Sequence, residues 1–165
     1  MLNRPHKILV VDDEPISLKL LARALSNDYN TITAESGQEA LEILKRETVA
    51  LLITDQNMPG MTGLELLRLS RGLCPDTVCM LMSAVDDTSV FIDAIANADA
   101  IRVLKKPWNR EKLLSDVQAS IKLHESFVNN RQSIDRLNQS VEAMRRAVEE
   151  AANKIHFEPM NAECR

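Results

Sequence analysis

The sequence is poor in cysteine, in aromatic residues and in long apolar stretches, and each shortage excludes a class of protein. Its three cysteines, Cys74, Cys79 and Cys164, lack the spacing of a metal site or a redox pair, so we interpret them as reduced thiols. No stretch reaches the roughly 18 apolar residues of a membrane helix, and no signal peptide opens the chain. These shortages predict a cytoplasmic protein without a membrane span.

Basic residues are also fewer than acidic ones. The chain has 20 lysines and arginines and 24 aspartates and glutamates, which gives a formal net charge of −4. Neither the part of the chain before Trp108 nor the part after it has an excess of basic residues. A protein that binds nucleic acid through a basic arm or patch carries such an excess. The charge distribution therefore predicts no nucleic-acid partner.

Polar residues end four short apolar runs that alternate with helical patterns. The runs are continuously apolar, as expected for strands that helices cover on both faces of a parallel sheet. Ligands of such sheets bind at the carboxyl ends of the strands, so we expect the polar residues to share one edge. In chain order they are Asp12 with Asp13, Asp55, Ser83, and Lys105 with Lys106.

Three carboxylates at one edge predict a cation site. They would repel one another unless a cation screened them, and oxygen ligands without nearby histidine or cysteine select Mg²⁺ or Mn²⁺. Because Mg²⁺ commonly shares its site with phosphate, the cluster indicates phosphoryl transfer, in which one carboxylate attacks phosphorus as a nucleophile. A lysine and a hydroxyl would then hold the phosphoryl oxygens.

Four motifs, in this order, resemble the receiver domain of two-component response regulators over about residues 5–123. Each motif alone is short, so the resemblance rests on their combination. The motifs are Val10-Val-Asp-Asp-Glu14, Asp55-Gln-Asn-Met-Pro-Gly60, Ser83-Ala84 and Lys106-Pro-Trp108.

For the metal, the resemblance implies a site of four residues. Asp55 is the phosphoacceptor and also a ligand, Asp13 binds the metal directly, and Asp12 binds it through water. The backbone carbonyl of Asn57 completes the share of the Mg²⁺ shell that the protein supplies.

For the phosphoryl group, the resemblance implies that Ser83 is the hydroxyl that follows it and Lys106 the ammonium that pairs with it. It also favours a cis peptide bond between Lys106 and Pro107. One residue departs from the family pattern, because Val103 stands where a tyrosine or phenylalanine ring usually swings inward. Valine has no ring and a stiff rotamer, so we expect the signal to pass through the segment after Ser83 and the helix that follows.

Alternating strand and helix patterns predict an α/β fold: a doubly wound, five-stranded parallel sheet, the flavodoxin-like (βα)5 arrangement of receivers, with an extended C-terminal helix. Ser36 and Glu39 form a capping-box pattern at the start of one helix. Other helices are expected from near Pro15, over Leu64–Arg71 and over about Asp87–Asn97.

The last helix is expected to begin near Asn109, and neither glycine nor proline occurs from Trp108 to Glu158. Polar residues such as Asp116 and Ser120 interrupt its apolar pattern at first, but a coiled-coil spacing follows. A lone helix cannot bury such a seam, so a parallel homodimer is the preferred arrangement, and a helix folded back onto the domain is the alternative. The seam residues are Ile134, Leu137, Val141, Met144, Val148, Ala151 and Ile155.

The expected organisation is a receiver domain over residues 1–123, a coiled-coil extension over residues 124–158 and a flexible tail over residues 159–165. By resemblance, a histidine kinase or phosphotransfer protein would phosphorylate Asp55 in a Mg²⁺-dependent reaction, and the C-terminal helix would carry the signal. Such a chain is no enzyme beyond catalysing its own phosphorylation and dephosphorylation.

Three alternatives remain at this level. The chain could be a dimerisation scaffold with an unused acidic site, or a Mg²⁺-dependent phosphatase, although Asn57 stands where such enzymes place a second acid. It could also be the N-terminal part of a larger regulator with a catalytic output domain. The Lys106-Pro-Trp108 motif with a helical extension resembles receivers that precede cyclic-dinucleotide enzymes, and the abrupt end favours a longer parent protein.

Overall fold

The computed structural model describes residues 6–84, the single positions 92 and 96, and residues 102–155. Apart from those two positions, the helix predicted over Asp87–Asn97 lies outside the described residues. The tail predicted over residues 159–165 lies outside them as well.

Five parallel strands form one sheet, in the order β2-β1-β3-β4-β5. The predicted doubly wound, five-stranded parallel sheet is therefore confirmed. Because β1 has β2 on one side and β3 on the other, the direction of winding reverses there, which is where open α/β sheets bind ligands. The strands are β1 (Lys7–Val11), β2 (Asn30–Ala34), β3 (Leu51–Asp55), β4 (Val78–Ala84) and β5 (Arg102–Lys106).

The helices begin close to their predicted starts, because a local signal marks each one: a proline in α1 and a capping side chain in the others. Ser36 accepts a hydrogen bond from the Glu39 backbone N–H, as predicted, but the Glu39 carboxylate reaches Glu35 instead of returning to Ser36. A complete capping box occurs instead at Thr62 and Glu65, whose spacing also signals it in the sequence. The helices are α1 (Pro15–Leu25), α2 (Gly37–Arg46), α3 (Gly63–Leu73) and the C-terminal helix (Arg110–Ile155).

The core lies on both faces of the sheet, as the continuously apolar strands require. The three central strands β1, β3 and β4 are almost entirely buried, which explains why their sequences do not alternate. Helices α2 and α3 pack with β1, β3 and β4 in a cluster that includes Leu9, Leu52 and Leu81.

The chain divides into two compact units, Met1–Ser126 and Phe127–Arg165. In the first unit, the C-terminal helix buries Leu113, Val117 and Ile121. Asp116, which interrupts the apolar spacing, is buried too, and its carboxylate forms ion pairs with Arg102 and Lys112 at 3.3 and 2.9 Å. Asp116 therefore interrupts the apolar spacing of the helix because it forms an ion pair with Arg102 of β5.

In the second unit, the described residues 127–155 form a single stretch of helix. The large apolar residues of the predicted seam are between 57 and 69 % exposed, an unusual state for such side chains. They are Ile134, Leu137, Val141, Met144 and Val148. Over the part of the chain that is described, no helix combines the length and apolarity needed to cross a bilayer.

Candidate functional site

The carboxyl ends of β1, β3, β4 and β5 bring the predicted polar residues to one edge of the sheet. Asp12 directly follows β1, Asp55 is the last residue of β3, and Lys106 is the last residue of β5. Ser83 lies in β4, one residue beyond Met82, the register partner of Asp55. Four separate strands thus bring two acids, a hydroxyl and an amine to this edge of the sheet.

Lys106 connects two of the carboxylates. Its Nζ contacts Asp55 Oδ1 and lies 3.3 Å from Asp12 Oδ2. Burial by itself lowers the pKa of Lys106, but the contacts with Asp55 and Asp12 outweigh it and raise the pKa above the usual 10.5. Lys106 is therefore a cation at neutral pH. Lys105, the residue before it, is exposed.

Asp12 is held on both of its carboxylate oxygens by groups of the protein itself. Its Oδ1 accepts a hydrogen bond of 2.9 Å from the Glu14 backbone N–H, and its Oδ2 accepts one of 2.6 Å from the Ser17 hydroxyl. Since Oδ2 also receives Lys106, Asp12 is largely engaged within the fold. The sequence interpretation missed Ser17, and its only signal is a hydroxyl in the first turn of the helix after Asp12.

The loop after Asp55 is anchored by a second residue that the sequence interpretation missed. The Gln56 backbone N–H bonds to the Met82 carbonyl, and its side-chain Oε1 accepts a hydrogen bond from the Leu64 N–H in α3. The Asn57 backbone N–H donates to Asp55 Oδ2 at 2.8 Å. Asp55 is therefore oriented by Lys106 on one oxygen and by its own loop on the other.

Gly63 lets α3 approach this loop closely. A Cβ at this position would stand 2.2 Å from the Asp55 carbonyl oxygen and 2.8 Å from the Leu81 Cδ1. No side chain larger than hydrogen fits without moving the backbone that carries Asp55.

We therefore expect Gly63→Ala to destabilise the fold by roughly 1–3 kcal/mol, because the added methyl group overpacks a rigid contact. Gly72→Ala is the matched control in the same helix, since a Cβ there meets nothing within 4 Å. That variant should be neutral or stabilised by about 0.5–1 kcal/mol. Urea denaturation of both variants measures the difference, and equal stabilities would contradict the close approach.

The remaining predicted residues occupy different environments. Asp13 is exposed and Ser83 is buried, while Asn57 is exposed in the loop after Asp55. Val103 packs against the core cluster as a partly buried side chain. The peptide bond between Lys106 and Pro107 is cis, as predicted.

Two histidines to which the sequence interpretation assigned no role lie close together. The rings of His6 and His124 meet edge to face, with centroids 6.1 Å apart. His6 also contacts the Glu125 carboxylate at 3.0 Å, and His124 bonds to the Asp76 carbonyl at 2.7 Å. Because His6 precedes β1, this pair lies at the opposite end of that strand from Asp12 and is separate from the acidic cluster.

The donor set at the acidic edge fits Mg²⁺ in chemistry and charge. Asp12, Asp13 and Asp55 against Lys106 leave a formal excess of two negative charges, three carboxylates minus one ammonium, which a divalent cation balances. Among the described residues, no three acidic, histidine or cysteine side chains are gathered tightly enough to hold a metal by themselves. Mg²⁺ does not require such a cage, because it retains waters and uses only one or two carboxylates.

Comparison with protein families matches residues 8–118 to the response regulator receiver domain. Among characterised proteins, the chain is 32 % identical over 121 residues to the hydrogenase transcriptional regulatory protein HoxA of Cupriavidus necator, covering 73 % of this chain and 25 % of HoxA. It is 33 % identical over 107 residues to a cyclic di-GMP phosphodiesterase of Thermotoga maritima, covering 64 % of this chain and 28 % of that protein. The chain spans between about a quarter and a half of the length of the curated relatives it matches.

Solved structures show the same fold. A structure described as adenylate cyclase from Rhodopirellula baltica superposes with a TM-score of 0.77 at 29 % identity, over 79 % of this chain and 97 % of that one. The signal receiver domain of an HD domain-containing protein from Pseudomonas fluorescens Pf-5 superposes with a TM-score of 0.73 at 28 % identity, over 78 % of this chain and 96 % of that one.

Proposed function

The chain belongs to the response regulator receiver domain family, and from that premise we propose that it is a switch phosphorylated on Asp55 by a histidine kinase or phosphotransfer protein. The observation that carries this proposal is the joint contact of Lys106 with Asp55 and Asp12 at the sheet edge. In this proposal residues 1–123 are the receiver, and the protein acts in the cytoplasm.

In the proposed reaction, an Asp55 carboxylate oxygen forms a bond to the phosphorus of a phosphohistidine while the bond from phosphorus to nitrogen breaks. The electron pair of the broken bond returns to the imidazole of the donor. The Asn57 N–H orients the Asp55 carboxylate, and Lys106 balances the negative charge of the incoming group. Ser83, buried one residue beyond the register partner of Asp55, would hold a phosphoryl oxygen.

A bound Mg²⁺ would supply further positive charge beside the phosphoryl oxygens. The residues proposed to hold it are Asp13 directly, Asp12 through water, Asp55, and the backbone carbonyl of Asn57. The engagement of both Asp12 oxygens by Glu14, Ser17 and Lys106 supports a contact through water instead of a direct one.

We expect Asp13→Ala to weaken Mg²⁺ binding by at least roughly tenfold, since it removes a full charge next to the cation. The exposed Asp13 side chain makes no hydrogen bond with the described residues, so the fold should be unaffected. Titration calorimetry with MgCl₂ measures the affinity, and Asp28→Ala controls for the loss of one exposed acid. An unchanged dissociation constant would exclude Asp13 as a ligand.

Incubation with acetyl phosphate and Mg²⁺ tests the proposed function directly. One phosphoryl group should be incorporated, and peptide mass spectrometry should locate it on Asp55. Absence of incorporation would favour the scaffold alternative, and steady turnover of added phosphate esters would favour the phosphatase alternative.

For the output, we propose a parallel homodimer through the second unit. The seam places β-branched residues at Ile134, Val141 and Val148, alternating with Leu137 and Met144. This arrangement of β-branched residues at one core position and leucine-like residues at the other favours parallel, two-stranded coiled coils. The exposure of these side chains in a single copy supports a second copy as the partner.

A second candidate is that the chain is the receiver part of a larger regulator. The match to only a quarter to a half of the length of its curated relatives favours it. Those relatives include a transcriptional regulator and a cyclic di-GMP phosphodiesterase, so the dimeric helix would pass the signal to an output module. Sequencing the source gene beyond Arg165 tests this candidate.

A further inference from the structure

The hydrogen bonds of Asp12 use most of the acceptor capacity of its carboxylate. Two carboxylate oxygens offer roughly four lone-pair positions between them. Among the described residues, the Glu14 backbone N–H donates to Oδ1 at 2.9 Å, while the Ser17 hydroxyl and the Lys106 ammonium donate to Oδ2 at 2.6 and 3.3 Å. Both positions on Oδ2 are therefore occupied, and Oδ1 is the oxygen that can still accept a contact from a cation or from its bound water.

The start of α1 brings the Ser17 hydroxyl to this carboxylate. Pro15 is the first residue of the helix, so Ser17 lies in the first turn, where side chains lean back toward the residues before the helix. The 2.6 Å distance is typical of a hydroxyl that donates to an ionised carboxylate. Because the Asp12 side chain is only 2 % exposed, bulk water competes little with the Ser17 hydroxyl for Oδ2.

The way in which a carboxylate contacts a cation affects which cation it favours. Ca²⁺ accepts about six to eight oxygen ligands and often binds both oxygens of one carboxylate. Mg²⁺ takes an octahedral shell and keeps several of its waters. A carboxylate with both oxygens available therefore suits Ca²⁺, whereas one that can offer a single oxygen to a metal-bound water suits Mg²⁺.

We propose that Ser17 is a positioning residue of the cation site and makes this site selective for Mg²⁺ over Ca²⁺. By occupying Oδ2, its hydroxyl restricts Asp12 to a contact through a water of the cation, which Mg²⁺ retains more firmly than Ca²⁺. The inference rests on the proposed function, because the cation site is part of it. When Lys106 pairs with the phosphoryl group, Ser17 is the side chain that continues to hold Oδ2.

Threonine and valine at position 17 form a matched pair for the test, since both are β-branched and they differ in the hydroxyl. Ser17 is partly exposed and lines a cavity of about 630 Å³, so a branched side chain has room there. Calorimetric titrations with MgCl₂ and with CaCl₂ give the ratio of the two dissociation constants for each variant. We expect Ser17→Thr to keep the preference of the wild type for Mg²⁺, and Ser17→Val to lose at least about tenfold of it, the scale of one hydrogen bond to a charged group.

Ser26→Ala is the control for the loss of a hydroxyl from the same region. The Ser26 hydroxyl donates to the Arg23 carbonyl at 3.1 Å at the exposed end of α1, so this variant should show the ratio of the wild type. Equal ratios in Ser17→Thr and Ser17→Val would overturn the proposal. A Ser17→Val variant that loses affinity for both ions by the same factor would overturn it as well, because a purely structural role of the hydroxyl predicts that result.

Incubation with acetyl phosphate separates this inference from the proposed function. A wild type that prefers Mg²⁺ but accepts no phosphoryl group would refute the proposed function, and the comparison of threonine with valine would still decide the role of Ser17. A wild type that is phosphorylated on Asp55, with equal ratios in the two variants, would refute the role of Ser17 alone. A wild type that binds neither ion would refute the cation site and the role of Ser17 together.

Discussion

Asp55→Asn should reduce phosphoryl incorporation by at least about 1,000-fold, the scale of loss seen when an enzyme loses its nucleophile. An amide oxygen is a poor nucleophile toward phosphorus, and the amide cannot form the mixed anhydride that a carboxylate forms. The expected readout is loss of the added phosphoryl mass after incubation with acetyl phosphate and Mg²⁺.

The fold of this variant should be retained, because the groups around residue 55 keep their contacts. Lys106 retains its contact with Asp12 after Asp55 is neutralised, and the amide oxygen can still accept the hydrogen bond from the Asn57 N–H. Removal of one carboxylate also relieves repulsion within the acidic cluster. Asp28→Asn, at an exposed position on the turn after α1, is the control and should be phosphorylated normally. Phosphorylation retained in Asp55→Asn would mean that another residue is the acceptor.

Leu137→Glu with Met144→Glu should convert the proposed dimer into monomers. In a parallel coiled coil each residue meets its own copy, so the variant removes four buried apolar side chains, each worth roughly 1.5–3 kcal/mol, and opposes like charges. The dissociation constant should rise by roughly 10,000-fold or more. Light scattering with Mg²⁺ present, with and without beryllofluoride, measures the mass.

The control for this variant adds the same charge on the outer face of the same helix. Gln139→Glu with Asn153→Glu changes exposed positions off the seam and should leave the dimer intact. A dimer that persists in Leu137→Glu, Met144→Glu would place the interface elsewhere. For the wild type, a mass that changes with beryllofluoride would indicate that dimerisation itself is the output. A dimer of constant mass would indicate that the signal passes as a change in the geometry of the paired helices.

Val103 affects how the acidic site can be coupled to the C-terminal helix. It packs against the core cluster as a partly buried valine, so no aromatic ring is available at this position to couple the acidic site to the surface. The ion pair between Arg102 and Asp116 joins β5, which ends in Lys106, to the C-terminal helix. This connection offers a physical link between the site and the proposed coiled coil.

Much of the fold and the centre of the site followed from the sequence because those features depend on nearby residues. The continuously apolar runs before Asp12 and Asp55 predicted buried parallel strands, and the polar residues that end them predicted a shared edge. Ser36 and Pro15 predicted helix starts, because caps and proline act within a single turn. For the same reason the Thr62 and Glu65 capping box could also have been predicted.

The partners of the buried polar groups could be decided only by the tertiary structure. Ser17 and Gln56 are ordinary residues in the sequence, and their hydrogen bonds to Asp12 and Leu64 become visible only once the loops are placed. The close approach of Gly63 to the Asp55 carbonyl, and of His6 to His124, likewise joins segments that local patterns do not connect. Strand composition and caps are properties of neighbouring residues, so the sequence alone determined them. The contact of Lys106 with Asp12 depends on the order and register of the whole sheet, and only the fold could determine it.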